Sequence, residues 1–172
     1  MQRLTLIRHG STSAVRSAAF PLDEPLDESG REAAGALAGL VARSGEAWSS
    51  PSRRAQQTAE LLGLAPTLDP ALDECDFGRW RGRTLADLHE EDPAGVGAWM
   101  TDPAAAPHGG ESLEQLVARV RGWLDARAAV DGRTVAVTSG GVIRAAVVIA
   151  LGAGVDATWR VDVTPLHATV LH

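Results

Sequence analysis

The chain has no lysine and a single cysteine, Cys75, in 172 residues. One thiol cannot form an internal disulfide, so the sequence predicts a reducing, cytoplasmic setting. No run of eighteen apolar residues occurs, which excludes a membrane-spanning helix. No leader pattern precedes Arg3 and the first short hydrophobic strand. Acidic groups outnumber basic ones for a net charge of −6. Bulk electrostatics therefore speaks against a nucleic-acid partner, and any anion site must be a locally basic pocket in an acidic surface. The abundance of alanine, arginine and glycine beside absent lysine reads as high-GC coding bias and says little about function. What remains is ordinary for a globular protein, with 45% hydrophobic and 22% charged residues. The length predicts one domain over residues 1–172, large enough for a proper core.

Hydrophobic patterning alternates between strands and helices. Residues 2–8 read as a buried strand, and 11–28, with Pro21 and Pro25, as a long loop. Ser29-Gly30-Arg31-Glu32 is a capping-box pattern, followed by Ala33, Ala36, Leu37, Leu40 and Val41 at helical spacing. Ala47-Trp48-Ser49 predicts a short strand. Ser50, with Pro51 behind it, predicts the cap of a helix carrying Arg53, Arg54, Ala55, Thr58, Ala59 and Leu62. Residues 67–83 read as irregular, with a short strand near Thr67. Helices are predicted from Thr84 to His89 and from Pro93 to Met100. Ser112-Leu113-Glu114-Gln115 is a second capping box, ahead of an apolar stripe through Leu116, Val117, Val120, Trp123 and Leu124. A strand at 134–138, a helix from Val142 to Leu151, and strands at 159–163 and 168–171 complete the pattern. It predicts a three-layer α/β/α sandwich around a mostly parallel central sheet. Residues 64–110 read as an insertion over one end of that sheet.

Arg8-His9-Gly10 ends the first strand, and ligands bind at the C-terminal edge of an open α/β sheet. An imidazole there can act as a nucleophile, and a guanidinium can hold an anion by paired hydrogen bonds. Two further segments converge on the same edge: Ser50-Pro51-Ser52-Arg53-Arg54-Ala55 at a helix N-terminus, and Ser139-Gly140-Gly141 between a strand and a helix. Helix N-termini offer free N–H groups and a positive dipole end. Together these features point to a phosphate ligand.

The chain resembles the histidine phosphatase superfamily, with its phosphoglycerate mutase-like fold. The resemblance rests on five motifs in order: Arg8-His9-Gly10; Ser50-Pro51 with Arg54-Ala55 and Gln57-Thr58-Ala59; Leu72-Asp73-Glu74 with Phe77-Gly78-Arg79-Trp80 and Gly82; Gly109-Gly110-Glu111-Ser112; and Gly140-Gly141-Val142-Ile143-Arg144. Length and ending look most like the small α-ribazole-phosphatase-type members. The resemblance implies a phosphomonoesterase for a small organic phosphate that works without metal or cofactor and releases inorganic phosphate. A homodimer is left open. His9 would become a phosphohistidine, its other ring nitrogen donating to a backbone carbonyl. Arg8, Gly10, Thr12, Arg54 and Gly140 would bind the phosphoryl group. Glu74 would serve as acid and then base, with Asp76 as the alternative.

The family carries a second histidine where this chain has Ser139. Losing such a donor costs roughly a hundred- to a thousandfold in rate, so the resemblance implies a slowed enzyme. The alternative is a pseudoenzyme that binds phosphate-bearing ligands. A phosphoglycerate mutase is a weaker reading, since Val15 stands where many relatives place asparagine. His167, in the closing segment, is considered as a substitute imidazole. Arg144 is read as either a pocket or a helix-surface residue, and Glu111 as orienting a phosphate-binding arginine or as a solvated charge. His89, His108 and His172 are expected at the surface, Cys75 as a packing residue, and Trp80, Trp99 and Trp123 in the core, with Trp80 at the entrance as the other option for that residue.

Overall fold

In the computed structural model, residues 3–41, 45–129 and 131–172 are described. Four strands run parallel: β1 (Arg3–Arg8), β2 (Glu46–Ser49), β3 (Thr67–Leu68) and β4 (Arg133–Thr138). The fifth, β5 (Ala168–Leu171), lies antiparallel on the β1 edge, and the spatial order is β3-β2-β4-β1-β5. Central strands covered on both faces read as continuous apolar runs rather than alternating ones. In β4 every residue from Thr134 to Thr138 is buried. Residue 2 of the predicted first strand lies outside the described residues.

Helices fill both faces. Leu4, Leu6 and Ala136 pack against α6 (Leu113–Ala128) and α7 (Gly140–Ala150) through Leu116, Val120, Val142 and Ile143. On the opposite face Ile7, Val135 and Val137 meet α3 (Arg53–Leu61) through Ala55 and Ala59. The chain therefore forms the expected α/β/α sandwich around a mixed five-stranded sheet. A third, aromatic cluster of Phe20, Trp80, Leu88 and Val96 joins the 11–28 segment to α4 (Leu85–Glu91) and α5 (Pro93–Thr101).

Local chemistry explains four departures from expectation. The 11–28 segment is not all loop: Thr12 accepts from the Val15 amide and starts α1 (Ser13–Ser17). The next helix, α2 (Glu28–Ala36), is capped by Asp27, whose Oδ1 accepts from the Gly30 amide at 2.7 Å, and not by Ser29. Ser50 does not cap α3; Ser52 occupies the N-cap, and the Ser50 hydroxyl instead accepts from the Ser52 amide and donates to Asp73. The predicted strand at 159–163 is replaced by a 3₁₀ helix, Val155–Arg160, which α6 and α7 support. The second capping box forms as read: Ser112 accepts from the Gln115 amide, and the Gln115 side chain accepts from the Ser112 amide.

Candidate active site

The C-terminal ends of β1, β2 and β4 deliver the three predicted segments to one edge of the sheet. Ladder geometry continues into the site, with the His9 amide donating to Thr138 O at 2.9 Å and the Ser50 amide to Val137 O at 3.0 Å. Arg8, His9, Thr12, Arg54, Glu74, Gly141 and Arg144 line one cavity of about 460 Å³.

His9 is 4% exposed, and its Nδ1 lies 2.8 Å from Gly10 O. A carbonyl only accepts, so Nδ1 carries the proton and Nε2 keeps its lone pair. Burial, then the Arg54 charge and to a lesser extent that of Arg8, push its pKa down to about 3, against a smaller opposing effect of the Gly10 carbonyl. The ring is therefore neutral across ordinary pH.

The guanidinium of Arg8 donates through Nη1 to Val163 O and lies along Gly140; its Nε is buried and without a protein partner. Burial lowers its pKa from the usual guanidinium value, partly offset by Glu74. Arg54 is 4% exposed on the first turn of α3, donates to Leu22 O at 2.8 Å and faces Glu24 at 3.7 Å. Its Nε is likewise buried without a partner. Buried polar atoms are nearly always paired, so these two Nε groups are exceptions, and both guanidiniums bring positive charge to the lining of one cavity, as an anion site requires.

Glu74 accepts from the Cys75 amide through Oε1 at 2.9 Å and from the Gly141 amide, at the start of α7, through Oε2 at 3.1 Å. Asp76 is exposed, takes the Gly78 amide on Oδ1, and does not line the cavity. Ser139 is fully buried at the N-cap of α7, and its hydroxyl has no partner. Thr12 lines the wall, with its hydroxyl on Glu24 at 3.1 Å.

Other predicted residues fall elsewhere. The Gly10 amide donates to Thr58 Oγ1 at 3.0 Å and is not free for a ligand. His167 is exposed with Nδ1 near Pro165 O and does not line the cavity, which corrects its reading as a substitute imidazole. His108 is buried against Phe77 and Trp80, contrary to its expected surface position. His89 and His172 are exposed. Arg144 lines the cavity and is anchored by Nε on Val161 O. Glu111 holds Arg119 rather than a phosphate-facing arginine. Cys75 packs in the core, its thiol pushed up by burial. Trp80 is core, whereas Trp99 and Trp159, with Phe20 and Phe77, wall the cavity. Sequence reasoning missed this wall because Phe20, Phe77, Trp99 and Trp159 come from four segments far apart in the chain, and no local pattern brings them together.

Among the described residues, no helix is long and apolar enough to cross a membrane. A buried neutral imidazole, converging guanidiniums and a carboxylate on a sheet edge define the class of site that handles phosphoryl groups. Residues 4–172 match the histidine phosphatase superfamily (branch 1), and the chain belongs to it. It is 40% identical over 148 residues to the bifunctional protein Rv2228c of Mycobacterium tuberculosis, a match spanning 80% of this chain but 40% of that protein. It is 32% identical over 131 residues to the adenosylcobalamin/alpha-ribazole phosphatase of Salmonella typhimurium, covering 71% of this chain and 65% of that one. The solved mycobacterial glucosyl-3-phosphoglycerate phosphatase Rv2419c with VO3 superposes with a TM-score of 0.89 at 31% identity, over 100% of this chain and 93% of that one. Two of these three relatives are named as phosphatases.

Proposed function

We propose that this chain is a metal-independent phosphatase for a small organic phosphate, working through a phosphohistidine on His9. The observation that carries the reading is the convergence of His9, Arg8, Arg54 and Glu74 on one cavity with the His9 lone pair held on Nε2. Nε2 attacks phosphorus as the P–O bond to the leaving alcohol breaks. Arg8 and Arg54 bind the phosphoryl oxygens and offset the charge that builds up on them. Thr12 and the Gly140 turn flank the same group, with Arg144 as a third cation. Glu74 gives a proton to the leaving oxygen, then takes one from the water that cleaves the P–N bond and releases inorganic phosphate. The geometry favours Glu74 over Asp76, which stands outside the cavity. Residues 1–172 act as one domain, and the 64–110 insertion supplies Glu74, Phe77, Leu85 and Trp99 to the walls.

Ser139 stands where the family carries a second imidazole, so turnover is slow. That hydroxyl, buried without a partner, also favours a second reading: a pseudoenzyme that binds phosphate-bearing ligands. Hydrolysis of p-nitrophenyl phosphate from mildly acidic to neutral pH, without added metal, decides between them. The phosphatase reading expects turnover that His9→Ala abolishes. Tight phosphate binding with no turnover above the His9→Ala background supports the pseudoenzyme and overturns the phosphatase.

A further inference from the structure

The cavity is much larger than a phosphoryl group needs, and its two parts differ in chemistry. The arginines, His9 and Glu74 lie close enough to feel one another's charges, and Thr12 joins them through Glu24, which faces Arg54. The remainder is an aromatic wall. Phe20 and Phe77 lie 4.6 Å apart between ring centroids, Phe20 and Trp99 5.5 Å, and Trp99 and Trp159 4.8 Å with planes at 84°. Leu85 and Leu113 complete it. Trp159 is 42% exposed, a large apolar surface left open beside a charged site.

The hydroxyl next to Trp159 in the chain is already used. Thr158 lines the cavity, but its hydroxyl donates to Val155 O at 2.7 Å. A leaving group rich in hydroxyls would shed water here and find few partners, which is costly for each group left unpaired. A flat apolar group would instead bury its faces against edge-on rings, the arrangement aromatic pairs favour. A cavity of about 460 Å³ lies within the range of small-molecule sites, about 300–1,000 Å³.

We infer that the aromatic wall is a leaving-group subsite, and that this chain takes phosphomonoesters of aryl or aralkyl alcohols in preference to those of sugars or polyols. The inference rests on the proposed phosphatase reading for the chemistry, but the subsite itself can be tested without turnover. Phosphonates keep the anion and carry a P–C bond that hydrolysis of a phosphoester does not touch. Calorimetric titration of the intact protein would compare 2-phenylethylphosphonate, methylphosphonate and 2,3-dihydroxypropylphosphonate. These are alkylphosphonates of like charge, so the arginine cradle treats them alike.

The phenylethyl compound is expected to bind at least about tenfold more tightly than either of the others. Trp159→Ala, at a half-exposed position, is expected to cut that advantage to about threefold or less. Trp99→Ala provides the second variant. Equal affinities, or tighter binding of the dihydroxypropyl compound, would overturn the subsite. Retained preference in a protein that hydrolyses no phosphomonoester would leave the subsite standing and sink the phosphatase reading. Failure to bind any phosphonate would remove both.

Discussion

Arg119 grips Glu111 through both carboxylate oxygens, Nε to Oε1 at 2.8 Å and Nη2 to Oε2 at 2.7 Å, while Nη1 donates to the carbonyls of Ala71 and Asp73 at 2.9 and 3.0 Å. The same stretch is tied from the other side, where the Glu111 amide donates to Asp76 O and the Cys75 thiol to Glu111 O. Glu74 sits between these ties. The pair thus fixes the backbone that presents the proposed acid, although neither residue lines the main cavity. A small misplacement of a catalytic group costs up to about a hundredfold in rate. Arg119→Ala is expected to lower kcat for p-nitrophenyl phosphate by roughly ten- to a hundredfold while KM changes little. Arg119→Lys should recover only part, because an ammonium lacks the planar fork. A rise in KM with kcat preserved would show that the pair serves binding instead.

Gly141 makes the second tie to Glu74. A Cβ built at Gly141 would lie 2.0 Å from Glu74 Oε1. That atom ends a flexible side chain, so Gly141→Ala is accommodated by evicting the carboxylate rather than by breaking the helix. Alanine in a helix is favoured over glycine by about 0.8–1 kcal/mol. The expected outcome is therefore a protein of unchanged or slightly higher melting temperature with kcat lowered about a hundredfold. A melting temperature that falls with activity would show that the backbone, not Glu74, had moved.

Asp27 and Ser29 separate what was legible in the sequence from what was not. Both can start a helix, and Ser29 with Glu32 has the stronger local pattern. Asp27 wins through a tertiary contact, since Ser11 donates to its Oδ2 at 2.9 Å while Oδ1 takes the Gly30 amide. Those two hydrogen bonds contribute to holding its carboxyl below the usual range. Asp27→Ala is expected to cost about 1–2 kcal/mol in chemical denaturation and Ser29→Ala less than about 0.5 kcal/mol. The same logic runs through the chain. Strands β1 and β4 were readable as short apolar runs, and helix α6 because one-sided burial imposes a helical period. Arg8, His9, Arg54 and Glu74 were readable because short motifs carry them. The Arg119 tie, the Trp99–Trp159 contact and the turn at 155–160 depend on segments far apart in sequence, and no local pattern encodes them.

Burial of His9 has a consequence for acid stability. Its folded pKa, about 3, lies below the unfolded value of 6.5. Between those limits the unfolded chain binds more protons, so stability falls as pH drops through this window and is fully retained above 6.5. From pH 6.5 to 4 the loss attributable to this residue is about 3 kcal/mol. His9→Gln removes the titrating group, so its denaturation free energy should fall less than that of the wild type over the same range. Parallel curves for the two proteins would mean that His9 accepts its proton without unfolding.

Ser139 occupies the N-cap position of α7, fully buried and one residue before the Gly140 that Arg8 lies along. A hydroxyl there is short and neutral. An imidazole would place a second N–H toward a phosphoryl group held by Arg8 and Arg54. With the cavity empty, the positive helix end and Arg8 both disfavour the imidazolium. A bound phosphate dianion reverses that balance, so the proton arrives with the substrate and the added charge acts mainly on the bound state. Ser139→His is accordingly expected to raise kcat by roughly a hundred- to a thousandfold, and the gain should shrink as pH rises and the new ring loses its proton in the complex. His9→Ala combined with Ser139→His should stay silent, because the donor has no nucleophile to assist. An equal gain at every pH would mean that the new imidazole works neutral, as a hydrogen-bond donor without charge. No gain at all would mean that the pocket has closed around serine and that the lost donor is not what limits the rate.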